Sequence, residues 1–301
     1  MFLKPFLQEI NHPLCLEKKV RFSVWREDLN HPLISGNKYW KLKYNLEKAK
    51  ELGKPSLLTF GGAHSNHIYA FAAAGKAFGF ETIGVIRGDE CRELSSTLKF
   101  ATECGMKIYQ VSREQYRKKT DASFLTELSE KFGDPFIIPE GGSNELAVKG
   151  CSEMIENLQF SPDFLCSPVG TGGTLAGMIR GKKGKSKILG FSALKGGSFL
   201  KKDIENLLGE DVFANWEIID QYHFGGYARF TPDLISFIND FKKQFSIPLE
   251  PIYTAKMIWG ILDMLSKDFF PENSEIIAIH TGGLQGLKGF EEMGVTFSYQ
   301  E

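Results

Sequence analysis

The residue types best suited to chemistry lie in the stretch 35–46, which reads SGNKYWKLKYNL. A glycine and an asparagine turn the chain there, and Asn37 is predicted to cap a helix that begins at Lys38. Spacings of three and four residues give this helix one predicted buried face, formed by Lys38, Leu42, Leu46 and Ala49. Lys41 is predicted to lie on a different face.

A lysine on a buried face loses hydration, which lowers the pKa of its ammonium group and frees the amine as a nucleophile. This chemistry makes Lys38 the first candidate for a catalytic residue. The alternative is a side chain that extends from the helix start into solvent.

A second candidate site is the loop 170–174, GTGGT, between a predicted strand at 164–169 and a predicted helix from Leu175. Its glycines let backbone N–H groups converge on an anion at the positive end of the helix, and its threonines add hydroxyl donors. No Gly-Lys-Ser/Thr follows, so it is not a Walker loop, and Leu175 replaces the third glycine of a dinucleotide fingerprint. The loop predicts a site for one phosphate without a nucleoside, with a tight structural turn as the alternative.

A third candidate is the tripeptide Ser65-Asn66-His67, which follows two glycines and begins a predicted helix. Free N–H groups at such a helix start bind carboxylates, and the hydroxyl and amide can orient a ring substituent. A simple helix cap at Ser65 and a packed imidazole at His67 are the structural alternatives. No His/Asp pattern or G-x-S-x-G elbow accompanies Ser65, which argues against a hydrolase triad.

Three later pieces, 225–227 (GGY), 252–254 (IYT) and 280–283 (HTGG), each place a polar side chain beside a glycine or at the end of an apolar run. Alone, each is more typical of a structural turn. Pyridoxal 5'-phosphate accounts for the motifs together, because it needs an amine, an anion cradle and donors to its phenolic oxygen.

The motifs SGNKYWKLKYNL, GGAHSNH, VGTGGTLAG, GGYA, PIYTAK and HTGG occur in this order. On them, residues 20–290 resemble the D-cysteine desulfhydrase and 1-aminocyclopropane-1-carboxylate deaminase family, which belongs to the tryptophan-synthase-β-like pyridoxal phosphate enzymes. The resemblance implies a homodimer and a fold-type-II α/β architecture: two open parallel-sheet lobes with the cofactor in the cleft between them.

The resemblance also implies roles for individual residues. Lys38 would bind the cofactor covalently and then act as the base at the substrate Cα. Asn66 would donate to the phenolic oxygen, and Thr254 or Thr281 would face the pyridine nitrogen. The implied phosphate-binding residues are Gly170, Thr171, Gly172, Gly173 and Thr174. The implied residues around the substrate are Ser65, Asn66, His67, Tyr227 and Tyr253, of which Ser65 and both tyrosines are catalytic candidates.

This chain departs from the family pattern at three positions. His64 stands where members commonly have glutamine, Trp40 where they usually have arginine, and Thr254 where cyclopropane deaminases usually have glutamate. A carboxylate at the ring nitrogen keeps the ring protonated and strongly electron-withdrawing, whereas a hydroxyl favours the neutral ring. β-Elimination of thiolate needs less carbanion stabilisation than opening a cyclopropane. Thr254 therefore favours D-cysteine desulfhydration.

The alternatives are ring-opening deamination to 2-oxobutyrate, β-replacement with an added nucleophile, and a non-catalytic pyridoxal phosphate protein. The last predicts a bound cofactor that no amino acid discharges. Simultaneous presence of Lys38, Ser65, Asn66, Tyr227 and Tyr253 argues against it.

Strands alternating with helices predict a parallel sheet covered by helices. The predicted strands are 20–25, 56–60, 82–86, 107–111, 136–139, 164–169, 188–192 and 276–280. A chain of 301 residues suggests two such lobes. We expect a small α/β domain at 48–147 and a large, cofactor-binding domain from 1–47 plus 148–301.

Composition limits the class of function. The net charge of −1 provides no overall field for nucleic acid or an anionic membrane. Five scattered cysteines without a C-x-x-C pair argue against a disulfide framework and a metal site. The N-terminal stretch lacks the apolar region of a signal peptide and no segment could span a bilayer, so a cytoplasmic protein is expected. The resemblance implies a small amino acid as its substrate.

Overall fold

The computed structural model describes residues 2–88, 93–158, 160–182, 185–210 and 213–297. The strands in these ranges are β1 (Leu7–Glu9), β2 (Arg21–Trp25), β3 (Ser56–Gly61), β4 (Glu81–Arg87), β5 (Lys107–Val111), β6 (Phe136–Ile138), β7 (Phe164–Val169), β8 (Lys187–Ser192), β9 (Trp216–Ile219) and β10 (Glu275–Ile279).

The α-helices are α1 (Pro13–Glu17), α2 (Asn37–Glu51), α3 (Asn66–Phe78), α4 (Ser96–Glu103), α5 (Arg113–Arg117), α6 (Ala122–Phe132), α7 (Glu145–Glu156), α8 (Gly173–Gly181), α9 (Phe199–Leu208), α10 (Pro232–Phe245), α11 (Thr254–Ser266) and α12 (Leu287–Glu291). Short 3-10 helices lie at Glu27–Leu29, Glu140–Gly142 and Leu284–Gly286.

The larger sheet has six strands in the order β1-β2-β10-β7-β8-β9. Its pairs are parallel except at one edge, where β1 runs antiparallel to β2. The predicted parallel sheet therefore has one antiparallel edge strand, β1, which the sequence did not indicate. The central strands are buried almost throughout, as expected where helices cover both faces.

The smaller sheet has four parallel strands in the order β5-β4-β3-β6. Its strand β3, SLLTFG, is buried at every position. Two mainly parallel sheets covered by helices confirm the predicted fold class. All strands of this sheet lie between residues 56 and 138; the domain boundaries at 48 and 147 remain a prediction.

Helix α2 connects the two parts of the molecule. Its residues Leu42, Leu46 and Ala49 are buried against the core beside the smaller sheet, as predicted. Asn37 is not its cap: the helix begins at Asn37 and is preceded by Gly36, which adopts a φ of +66°.

None of the helices in the described ranges is long and apolar enough to cross a bilayer. The four cysteines in those ranges, Cys15, Cys104, Cys151 and Cys166, are free thiols, and Cys91 lies outside them. No group of three metal-ligating side chains is found among the same residues.

Candidate active site

A cavity of about 610 Å³ lies between the two sheets. Its walls include the loops that follow β3, β7 and β10, where parallel α/β sheets usually bind ligands. Most predicted site residues line it: Lys38, Ser65, Asn66, His67, Gly170, Thr171, Gly172, Thr174, Tyr227, Tyr253 and Thr281. Gly173 and Thr254 do not.

The turn before α2 fixes Lys38 in this cavity. The side chain of Asn30 accepts from Gly36 N–H at 2.8 Å and donates to the Gly36 carbonyl at 3.0 Å. A Cβ on Gly36 would collide with the carbonyl of Thr281, so only glycine fits the turn. Lys38 Nζ donates to Asn37 Oδ1 at 3.1 Å. Burial lowers the pKa of Lys38 to about 8, against the attraction of Cys151 and Glu250.

A buried carboxylate supports this turn. Glu27 accepts hydrogen bonds from Trp25 Nε1 and Trp40 Nε1, both at 2.9 Å, and from Asn30 Nδ2 at 2.7 Å. Burial raises the pKa of Glu27, and these three donors oppose that shift. Trp40 therefore has a clear structural role: its indole N–H satisfies a carboxylate buried behind the Lys38 turn.

Lys41 is the main functional candidate that the sequence interpretation missed. The prediction that it lies off the buried side of the helix is wrong, because the side chain is only 2% exposed and lines the cavity. Nζ donates to the Gly141 carbonyl at 2.8 Å and to Ser143 Oγ at 2.9 Å, and it lies 3.4 Å from Thr171 Oγ1. Burial, and then repulsion from Lys38, lowers the pKa of Lys41 to about 7.

The loop after β7 is suited to an anion. Gly172, with φ +79°, precedes α8 and has no side chain to cap the first-turn N–H groups. Thr174 Oγ1 accepts from Asn37 Nδ2 at 2.8 Å, which ties this loop to the Lys38 turn. Gly173 packs behind the cavity, where its Cβ would meet Ser143 Oγ at 2.7 Å and Lys41 Nζ at 3.2 Å. Gly173 is not among the residues that line the cavity, and its predicted part in binding the phosphate stays a prediction.

These residues fit the phosphate of pyridoxal phosphate. Lys38 and Lys41 lie close enough for their charges to repel, and no carboxylate hydrogen-bonds to either in the described part of the chain. A phosphate beside Lys41 and the uncapped start of α8 would compensate that charge.

Ser65 and Asn66 line the same cavity. Ser65 is the N-cap of α3, and its Oγ accepts from Ile68 N–H at 3.3 Å. Asn66 Oδ1 accepts from Gln285 Nε2 at 3.0 Å. The amide nitrogen of Asn66 has no hydrogen-bond acceptor among the described residues and would be available to a bound ring substituent. Gln285 was missed because no local pattern connects it with Asn66.

His67 lines the cavity from a buried position. Its Nε2 is 2.8 Å from Thr59 Oγ1, whose hydroxyl donates to the Ile138 carbonyl, so Nε2 carries the proton in this pair. Nδ1 has no hydrogen-bond partner among the described residues. Burial and the nearby Lys38 and Lys41 hold the pKa of His67 well below its ordinary value, which keeps the ring neutral.

Tyr227 and Tyr253 form an aromatic pair at the cavity, with ring centroids 6.0 Å apart at an interplanar angle of 69°. Burial raises the pKa of both phenols, that of Tyr253 well above its ordinary value. Tyr227 is 44% exposed because it borders the open cavity. Both side chains are therefore neutral phenols that can donate or accept a hydrogen bond.

Thr254 and Thr281 were alternative partners for the pyridine nitrogen. Thr254 has no exposed surface and does not line the cavity; its Oγ1 accepts from Glu250 N–H at 2.9 Å and lies 3.2 Å from Glu250 Oε1. The prediction that it faces the cofactor is wrong in this structure. Thr281, after β10, lines the cavity and remains the candidate.

Comparison with known proteins agrees with this geometry. A family model described as pyridoxal-phosphate dependent enzyme matches residues 10–282. A Pyrococcus horikoshii protein provisionally named 1-aminocyclopropane-1-carboxylate (ACC) deaminase is 30% identical over 87% of this chain and 84% of its own. The Arabidopsis thaliana mitochondrial bifunctional D-cysteine desulfhydrase/ACC deaminase is 29% identical over 88% of this chain and 72% of its own.

A crystal structure of an ACC deaminase homologue has a TM-score of 0.82 to this chain at 26% identity, covering 98% of this chain and 94% of the homologue. The chain therefore belongs to the family of pyridoxal-phosphate dependent enzymes and has their fold-type-II architecture. The predicted resemblance to D-cysteine desulfhydrases and ACC deaminases is confirmed. Pyridoxal phosphate is the cofactor, and the activity is of the deaminase and desulfhydrase type.

Proposed function

We propose that the protein converts D-cysteine and water to pyruvate, sulfide and ammonia. The observation that carries the proposal is that Thr281 lines the cavity, where its hydroxyl would face the pyridine nitrogen. Glu140 is the only carboxylate among the described lining residues, and it already accepts from Tyr116 OH at 2.7 Å. A hydroxyl partner favours the neutral ring, which suffices for elimination of a good leaving group.

Lys38 would supply the amine that links to the cofactor aldehyde and would then move the proton at the substrate Cα. Its pKa of about 8 supports this role, since an appreciable share of free amine is present near neutral pH. When bound, the cofactor supplies an electron sink for the carbanion at Cα.

The remaining residues would bind and orient. Lys41 and the start of α8 would hold the phosphate, and Asn66 would donate to the phenolic oxygen. Ser65 would hold the substrate carboxylate. Tyr227 and Tyr253, as neutral phenols, would flank the substrate and could protonate the departing sulfur.

ACC deamination to 2-oxobutyrate and ammonia is the second candidate, because the names of similar proteins include that activity. To separate the two, cofactor-loaded protein is incubated with D-cysteine, L-cysteine or ACC, and the keto acid is identified. We expect pyruvate and sulfide from D-cysteine and no 2-oxobutyrate from ACC. 2-Oxobutyrate from ACC alone would replace the proposal with the second candidate. Turnover only with an added nucleophile would indicate β-replacement.

The assignment of Lys38 is tested separately. Lys38→Ala should remove the visible absorption band of the covalently bound cofactor and lower turnover about 10³-fold or more. Lys43→Ala is a matched control on the same helix, because Lys43 lies outside the cavity and pairs with Glu153 at 2.7 Å. A band that survived in Lys38→Ala would contradict the assignment, and a wild-type band that no amino acid changed would indicate a non-catalytic protein.

The homodimer is likewise a proposal, which sedimentation of the loaded protein tests.

A further inference from the structure

The segment that carries Tyr227 has an unusual backbone. Phe224 and Ala228 adopt φ values of +50° and +55°, and Gly225 and Gly226 between them adopt +92° and +120°. Side chains at positive φ cost free energy, so such a conformation persists only where surrounding structure holds it. Three hydrogen bonds lie within the described segment: Gly226 N–H donates to the His223 carbonyl at 3.0 Å, Arg229 N–H to the Gly226 carbonyl at 3.1 Å, and Gly225 N–H to His223 Nδ1 at 2.9 Å.

Lys256 of helix α11 holds this segment by hydrogen bonds to its backbone. Its Nζ donates to the carbonyls of His223 at 2.9 Å and Gly226 at 2.8 Å. The side chain is 1% exposed, and burial lowers its pKa to about 8 despite the attraction of Glu250. Burying a lysine costs free energy, so its two hydrogen bonds to one loop indicate a specific structural role. Trp259 on the same helix adds a ring contact with Phe224 at 5.4 Å between centroids.

The same helix also fixes Tyr253. The carboxylate of Glu250 accepts from the N–H groups of Ile252, Tyr253 and Thr254 at 2.7–2.9 Å, which sets the backbone where α11 begins. One rigid element thus holds both members of the aromatic pair, Tyr253 through its own backbone and Tyr227 through the bonds of Lys256. Lys256 does not line the cavity.

We propose that Lys256 is a positioning residue, whose two hydrogen bonds to the 223–226 backbone hold Tyr227 against the substrate. The inference rests on the proposed function only in assigning Tyr227 to the substrate. Without these bonds the strained segment relaxes and the phenol leaves its place beside Tyr253. Cofactor binding is unaffected, because Lys256 contacts neither Lys38 nor the loop after β7.

The test compares Lys256→Met, Tyr227→Ala and the double variant, with Lys267→Met as control. Lys267 follows α11, has a side chain 68% exposed and pairs with Asp263. Amide hydrogen exchange, the absorption band of the bound cofactor, and kcat and KM are measured on cofactor-loaded protein. We expect faster exchange confined to residues 222–229 in Lys256→Met, an unchanged cofactor band, and kcat/KM about tenfold lower. The double variant should be no worse than Tyr227→Ala, since both changes remove the same contact.

Unchanged exchange at 222–229, or a double variant that multiplies the two single losses, would overturn the proposal. If Lys256→Met does not fold, Lys256→Arg replaces it in the test. This variant keeps a cation with several donors and should preserve kcat/KM within about threefold. A fall in its kcat/KM as large as that of Tyr227→Ala, with unchanged exchange, would also overturn the proposal. The exchange measurement needs no substrate. If ACC rather than D-cysteine is turned over, the cycle is run with ACC, so failure of the proposed substrate is distinguishable from failure of this inference.

Discussion

The loop at residues 62–65 and the loop at residues 170–172 both follow a buried parallel strand and both lead into a helix. They differ in how the helix start is satisfied. Ser65 caps α3 with its own hydroxyl, whereas Gly172 leaves the start of α8 without a side-chain cap. Lys41, from a third helix, approaches Thr171 of the second loop to 3.4 Å.

A strand, a glycine turn and a helix are therefore not sufficient for a phosphate site. Free N–H groups and a cation supplied from elsewhere distinguish the 170–172 loop. The 62–65 loop, already capped, is better suited to present side chains such as Asn66 to a ring substituent. The following changes separate the two loops experimentally.

The largest effect is expected from Lys41→Met. Removing a buried, charge-assisted donor should raise the dissociation constant of pyridoxal phosphate about 10- to 100-fold, measured by titrating apoprotein and following the absorption band. Ser65→Ala is the matched change at the other loop, and we expect cofactor affinity within about threefold and a loss of about 1 kcal/mol in stability. A greater loss of cofactor affinity in Ser65→Ala than in Lys41→Met would reverse the comparison.

The pH dependence of apoprotein stability is the next largest effect. In the folded protein the pKa of Lys41 is about 7 and that of Lys38 about 8, whereas unfolded lysine titrates near 10.5. Between these values the unfolded chain binds more protons, so the free energy of unfolding should rise with pH, by about 3–4 kcal/mol from about pH 7 to about pH 9. Urea unfolding at both pH values tests this. Lys41→Met should reduce the rise, and a fall in stability over the same interval would contradict the assigned burial of both amines.

Replacing one glycine by alanine in each of the two loops should lower stability by unequal amounts. Gly172→Ala places a side chain at φ +79° and 2.8 Å from Ile204 Cγ1, so we expect a loss of about 1–2 kcal/mol in thermal unfolding of the apoprotein. Gly62 has no positive φ, and among the described residues its Cβ would meet Arg87 Nη2 alone, at 3.8 Å. Gly62→Ala should change stability by less than about 0.5 kcal/mol. Equal losses at the two positions would show that the uncapped loop is not the more constrained one.

The smallest effect concerns the orientation of Asn66. Gln285→Leu removes the donor to Asn66 Oδ1 and should lower kcat about two- to fivefold, with a small shift of the cofactor absorption band. Gln285→Glu should cost more, because a carboxylate attracts the amide nitrogen of Asn66 and turns it away from the cavity. If both variants behave as wild type in spectrum and rate, Asn66 is oriented by other contacts.

The central strands could be predicted from the sequence because a buried parallel strand is a continuous apolar run. The prediction at 188–192 agrees closely with β8, and that at 56–60 with β3. The edge strands β1 and β9 were missed, since short and partly exposed strands carry no such run. Helix α5 was missed as well: it has five residues and only Tyr116 buried.

The errors in the site have a common physical origin, which is that local patterns do not specify what packs from a distance. The prediction that α2 buries one face is wrong because other parts of the chain cover the helix on several sides. Lys41 is therefore buried as well as Leu42. The adjacent residues Tyr253 and Thr254 point to different places, one to the cavity and one to Glu250. The carboxylate of Glu27 lies in the first 34 residues, where the sequence shows no chemical motif.

The pairing of β2 with β10 has a consequence for biosynthesis. Ser23 lies opposite Ile277, so the middle of the larger sheet joins segments about 250 residues apart, while the smaller sheet uses only residues 56–138. On the ribosome the smaller sheet can be completed early, but the wall containing Thr281 and the turn at Gly36 must wait for almost the whole chain. The vitamin-derived cofactor therefore meets a finished binding site only late in synthesis and cannot guide the first folding steps.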